Sequence, residues 1–330
     1  MTGRPSATRP CLNSVPAVQR SWATFTPIVL KSYWPLNLAL SCHMARSPQQ
    51  EEVDRYLRTG EHDEMSPNWP GANFLARAQY ADAAARKALV STVRRRTAGA
   101  VAPAALAGID LPVFTRTKLA PMVRGLLPEQ EQATVLDLLE RSVVFLTPAT
   151  IETVLLTTPW LGTVWDLANL YLLSCGAKPL SKGARHIVGL SAETTCFVTM
   201  DYFSAPSRFD DFVVHEAAHV FHNCKRRTLG LSASPRREWM LDIEFAKRET
   251  FAYACERYSR ILELGSSIAA RREGLVEVAQ GPPPPDDRVD PQEYIEILTE
   301  AVASRNGWKA ILRRCSAAAA QHTRNAEAER

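Results

Sequence analysis

Apolar positions recur at helical spacing over most of this chain and at alternating spacing only briefly. Residues 73–96 form an alanine-rich amphipathic pattern that predicts a long helix, with Arg94, Arg95 and Arg96 in a last turn whose dipole favours cations. Further helices are predicted at 118–126, 128–141, 148–156 and 161–175, with Pro128 and Pro148 at first-turn positions. Two short runs, 186–190 and 195–202, are rich in β-branched and aromatic residues and predict strands. Helices at 207–225 and about 238–264 follow. The run from Gly281 through four prolines to Asp286 and Asp287 excludes a helix and predicts an extended linker. Helices at about 291–304 and 308–320 end the chain, and no internal repeat is visible.

The expected fold class is therefore α+β and mainly helical. Residues 1–48 are expected to be a disordered tail or an upstream mis-called start. Residues 49–280 should form the main domain, with a helical part at 73–175 and a second part at 186–265. Residues 281–290 are read as the linker and 291–330 as C-terminal helices.

Composition narrows the function. With 330 residues, 46% hydrophobic and 22% charged, the chain supports a sizeable core, and fibrous or wholly disordered classes are excluded. The first 50 residues carry five basic side chains and no acid, which leaves 34 basic against 35 acidic residues elsewhere. A body this close to neutral lacks the charge footprint of a nucleic-acid binder. No window offers the roughly 18 uncharged apolar residues needed for a membrane helix. The most apolar stretch, 142–175, is broken by Pro148, Glu152, Pro159 and Asp166 and is read as core helices. The seven cysteines are scattered, odd in number and without a C-x-x-C pair, against a disulfide framework or a cysteine-ligated metal. A soluble cytoplasmic protein is expected. The basic, serine-containing, acid-free residues 1–43 also fit a leader for export or an organelle, and Ser41-Cys42 after Leu38-Ala39-Leu40 faintly resembles a lipoprotein processing site.

One motif carries chemistry. In His215-Glu216-Ala217-Ala218-His219 the two histidines stand at i and i+4, so on a helix both imidazoles can meet one metal ion with Glu216 beside them. Composition alone would produce such a pattern about once in a hundred chains of this kind. The surrounding Phe212, Val213, Val214, Val220 and Phe221 bury the helix, and polar groups set into it need partners. Ser207 and Asp210 read as a capping box at its start. The chemistry expected is a Zn²⁺ ion that acidifies a water and polarises a carbonyl, with Glu216 as general base.

A third ligand is expected from the next long helix, where Glu244, Glu249 and Glu256 are available. Glu244 has Lys247 and Arg248 at i+3 and i+4, and Glu256 has Arg260 at i+4, so both have local ion-pair partners. Glu249 has only Phe245, Ala246, Ala252 and Tyr253 at those spacings and is the favoured ligand, with the other two as alternatives.

His215-Glu216-x-x-His219 followed by Glu249 resembles the gluzincin class of zinc metallopeptidases, over about residues 195–260. The resemblance implies a zincin-like pair of metal helices with a small sheet, and a peptide or protein substrate. It also implies a strand ahead of the metal helix that binds substrate backbone, here 195–202. An aspartate commonly stands four residues beyond the glutamate ligand in that class, and Tyr253 occupies that place. His222 is read as a support behind the ligands or a surface residue rather than a ligand, and Asp211 as a simple acid in the helix's first turn, with a supporting role behind the ligands as its alternative. Tyr253, Tyr258, Tyr202 and Arg248 are the candidates for stabilising an oxyanion. The alternative is a helical binding or regulatory protein with a structural or catalytically inactive zinc site.

Overall fold

The computed structural model describes residues 46–184, 189–192, 194–204, 208–235 and 237–316. The expectations for 1–45, for much of the 186–190 strand, for Ser207 and for the chain beyond 316 lie outside them. In chain order the elements are α1 (Pro48–Thr59), α2 (Phe74–Arg96), α3 (Leu111–Leu126), α4 (Glu129–Ser142), β1 (Val143–Leu146), α5 (Ile151–Thr157) and α6 (Leu161–Ser174). They continue with β2 (Gly189–Ala192), β3 (Thr195–Thr199), α7 (Asp201–Ser204), α8 (Phe212–Asn223), α9 (Arg248–Leu264), α10 (Ile268–Gln280), α11 (Pro291–Ala303) and α12 (Gly307–Cys315). The protein is thus mostly helical with one small sheet, as the α+β expectation holds.

The sheet has the order β1-β3-β2, with β1 parallel to β3 and β2 antiparallel to it. Alternation along the strands divides the core. Val143, Phe145, Cys196 and Val198 face a cluster shared with α3, α4, α8, α9, α11 and α12. Leu146 and Phe197 face a second cluster built on α2, α5 and α6. Helices therefore cover both faces, and the strands read as apolar runs because neither face is wet. β1 was expected to be helical, since four buried apolar residues, Val-Val-Phe-Leu, carry no period that separates strand from helix.

Other boundaries differ for identifiable reasons. α8 begins at Phe212, where the buried Asp211 side chain accepts the Val214 N–H at 3.3 Å; Asp210 is engaged instead by Arg257. α9 begins only at Arg248, after a short 3-10 turn at Phe245–Lys247, because 238–244 form irregular chain and isolated bridges. Residues 200–204 leave the strand for a helical turn, so Tyr202 is not on β3. α1 and α10 were not anticipated; Ser47 and Ser267 cap them. Residues 281–287 form no helix or strand, and the chain then enters α11 with Asp290 as its cap. α11 and α12 share the core around α9. Among the described residues no helix is long and apolar enough to cross a membrane, and Cys175, Cys196, Cys224, Cys255 and Cys315 are free thiols.

Candidate metal centre

α8 and α9 bring three donors together: His215, His219 and Glu249. The two Nε2 atoms lie 3.3 Å apart, and Glu249 Oε2 stands 3.9 Å from His215 Nε2 and 3.6 Å from His219 Nε2. Tetrahedral ligands about 2.0–2.1 Å from a zinc ion are separated by roughly 3.3 Å, so the two histidine nitrogens match that spacing and the carboxylate oxygen lies a few tenths of an ångström wider.

The far nitrogens explain why the near ones converge. His215 Nδ1 lies 3.2 Å from Glu256 Oε2, and the other oxygen of Glu256 accepts the backbone N–H of Asp211 at 2.6 Å. His222 Nδ1 faces Asn223 Oδ1 at 3.1 Å and must donate there, which leaves its Nε2 to accept from His219 Nδ1 at 3.0 Å. Both ligand rings therefore hold a proton on Nδ1 and aim Nε2 at Glu249. Once the proton on His215 Nε2 is displaced, two ring nitrogens and a carboxylate oxygen face one point, an arrangement that suits a cation. The donor set fits a divalent metal; nitrogen and carboxylate ligands are compatible with zinc and do not by themselves identify it.

Burial would lower the His215 pKa, but the Glu256 hydrogen bond and the charges of Glu256, Glu216 and Glu249 outweigh it and push the group up to about 9. Burial, with the His215 charge beside it, holds His219 well below its ordinary range. Burial and the nearby Arg248 lower His222 to about 4. Burial raises the Glu249 carboxyl against the opposing pull of His215 and Arg288.

The site residues expected from the sequence separate into two groups. Glu216 is buried on α8, against β2. His222 backs His219, and Asp211 anchors the helix start, ion-paired with Lys118 at 2.7 Å. Tyr253 packs its ring edge-on to His215 with centroids 4.4 Å apart. Tyr202 instead donates to Asp211 Oδ1 at 3.2 Å within an aromatic cluster that includes Phe114 and Phe203, which places it behind the helix start. Tyr258 packs against Trp308, 5.0 Å between centroids; nine residues beyond Glu249, it occupies the opposite face of α9. Arg248 stacks over Phe245, 5.2 Å from the ring centroid, with its Nε buried and unpartnered.

Several contributors were not anticipated. Glu256 had been assigned to Arg260, yet both its oxygens serve the histidine and the Asp211 backbone. Its position seven residues beyond Glu249, two turns along the same face, was the available signal. Glu249 does have a cation: Arg288 approaches Oε1 at 3.0 Å, itself held by Asp286 at 2.5 Å. It arrives from beyond the proline run, and no local spacing announces it. The strand expectation also changes. β3 is paired on both sides, so 195–199 cannot accept a further backbone, and β2 is an outer strand beside α8. A cavity of about 400 Å³ adjoins the site, its walls including Phe209, Phe212, Tyr253, Glu256, Pro282 and Pro285.

No family model, curated protein or solved structure matches the chain.

Proposed function

We propose that the protein is a zinc-dependent metallopeptidase of the gluzincin type with a zincin-like arrangement of α8, α9 and the sheet. The observation that carries the reading is the convergence of the His215 and His219 Nε2 atoms with Glu249 Oε2, on a helix that also bears Glu216. When bound, zinc would supply a Lewis acid for a carbonyl and would acidify water. His215, His219 and Glu249 hold the ion, while Glu256 and His222 fix the two rings. Glu216 takes a proton from the attacking water and delivers it to the leaving amine nitrogen. The outer edge of β2 is the place for an extended peptide backbone to pair, and Tyr253 or Arg248 supplies a donor to the developing oxyanion.

The test combines metal analysis with digestion of a broad peptide library. About one zinc per chain and cleavage abolished by Glu216→Gln with metal retained would support the reading. Zinc without cleavage of any peptide would favour a structural metal site in a binding or regulatory protein. Stoichiometric zinc in His215→Ala protein would overturn the ligand assignment.

A further inference from the structure

Gly189 is buried in β2 on the side facing α8, while its neighbour Leu190 packs with the opposite core cluster. A Cβ built on Gly189 would lie 2.8 Å from Glu216 Oε1, 2.9 Å from its Cγ and 3.1 Å from its Cδ. The backbone there is outside the left-handed region that favours glycine, so the residue is required for space. At Gly125 and Gly307 the equivalent neighbours are Trp308 and Tyr258, aromatic rings locked in the core. At Gly189 the obstructed group is the unbranched Glu216 side chain from Cγ to the carboxylate, which can turn aside more readily than a packed ring. The helix backbone has less freedom, since the Cys196 thiol donates to the Glu216 carbonyl at 3.2 Å and ties α8 to β3.

We infer that Gly189 is a positioning residue that sets where the Glu216 carboxylate stands. The inference rests on the reading of Glu216 as general base. A methyl group at 189 is accommodated by displacing that carboxylate, with the fold and the three metal donors kept. Placement of a proton-transfer group is exacting, and a shift of about 1 Å can cost about 10²-fold in rate.

The experiment compares wild type, Gly189→Ala, Glu216→Gln, and Gly189→Ala in the Glu216→Asp and Glu216→Ala backgrounds. Metal content, thermal midpoint, kcat and KM are measured, together with the pH at which the visible bands of the cobalt(II)-loaded protein shift. Gly189→Ala is expected to retain its metal and midpoint, to lose kcat about 10²-fold at unchanged KM, and to move the cobalt transition towards that of Glu216→Gln. In the Glu216→Asp background, where the acid is one methylene shorter, the same change should cost much less. If Gly189→Ala fails to fold, rescue of folding by Glu216→Ala supports the steric pair, and failure to rescue overturns it. Wild-type kcat with a wild-type cobalt transition in Gly189→Ala also overturns it. A wild-type protein that cleaves no peptide counts against the peptidase reading alone, because the cobalt comparison still reports on the carboxylate.

Discussion

Glu256 faces His215 Nδ1 at 3.2 Å with one oxygen and takes the Asp211 backbone N–H at 2.6 Å with the other. One buried carboxylate thus fixes both the ring and the start of the helix that carries it. Glu256→Gln should weaken zinc binding about 10- to 100-fold, the usual effect of losing the charged partner of a metal-bound histidine. Glu249→Ala should weaken it more, and Glu244→Ala should leave it unchanged. Competition against a chromophoric chelator ranks the three, and wild-type affinity in Glu256→Gln would refute the role given to it.

Arg288 and a bound metal compensate the same carboxylate. Without metal, Arg288 is the cation at Glu249 Oε1; with metal, the charge is already met. Arg288→Ala should therefore lower the thermal midpoint of the metal-free protein more than that of the loaded protein. The effect should be modest and weaken in high salt, because the guanidinium is largely exposed. Equal losses in both forms would contradict this.

The pH dependence follows from two opposed histidines. His215 is raised from 6.5 to about 9, so its stabilising proton is fully present below 6.5 and is lost as pH rises through 9. His222 is lowered from 6.5 to about 4, so the unfolded chain takes up that proton first and stability falls as pH drops through this window. A metal at His215 must displace its proton. Zinc affinity, followed by competition titration, should rise about tenfold per pH unit between 6.5 and 9 and then level off. A flat profile across that range would exclude the proton competition.

A stability prediction lies away from the centre. The fully buried Arg226 forms a bidentate pair with Glu131 and donates through Nε to the Ser232 carbonyl at 2.6 Å. Glu131→Ala strands that charge and should cost about 3–5 kcal/mol in denaturant unfolding. A loss under 1 kcal/mol, the level of an exposed pair, would mean that water or another acid takes over.

The parts of this architecture legible in the sequence are those set by local periodicity. α2, the i,i+4 histidines and the apolar surroundings of α8 all follow from spacing. Glu249 was selected by a rule about helical neighbours, and it stands at the histidines even though the rule's premise fails, because Arg288 compensates it from 39 residues away. The same rule assigned Glu256 to a surface pair, since a cation at i+4 does not reveal a histidine on another helix. β1 was hidden for a different reason: a strand buried on both faces has no polar alternation to display. The order β1-β3-β2, which decides the strand beside the site, depends on pairing between distant segments and has no local signature.

The proline run also bears on how the protein can be divided. Asp286 and Arg288 follow it, and Pro282 and Pro285 wall the cavity beside Tyr253 and Glu256. A fragment stopped at Gln280 would contain every metal donor and both residues that orient the rings. It would nevertheless leave Glu249 without its guanidinium and open one wall of the cavity to water. The centre is therefore not a self-contained helix pair, and the smallest piece that preserves its electrostatics has to carry the chain on past Arg288.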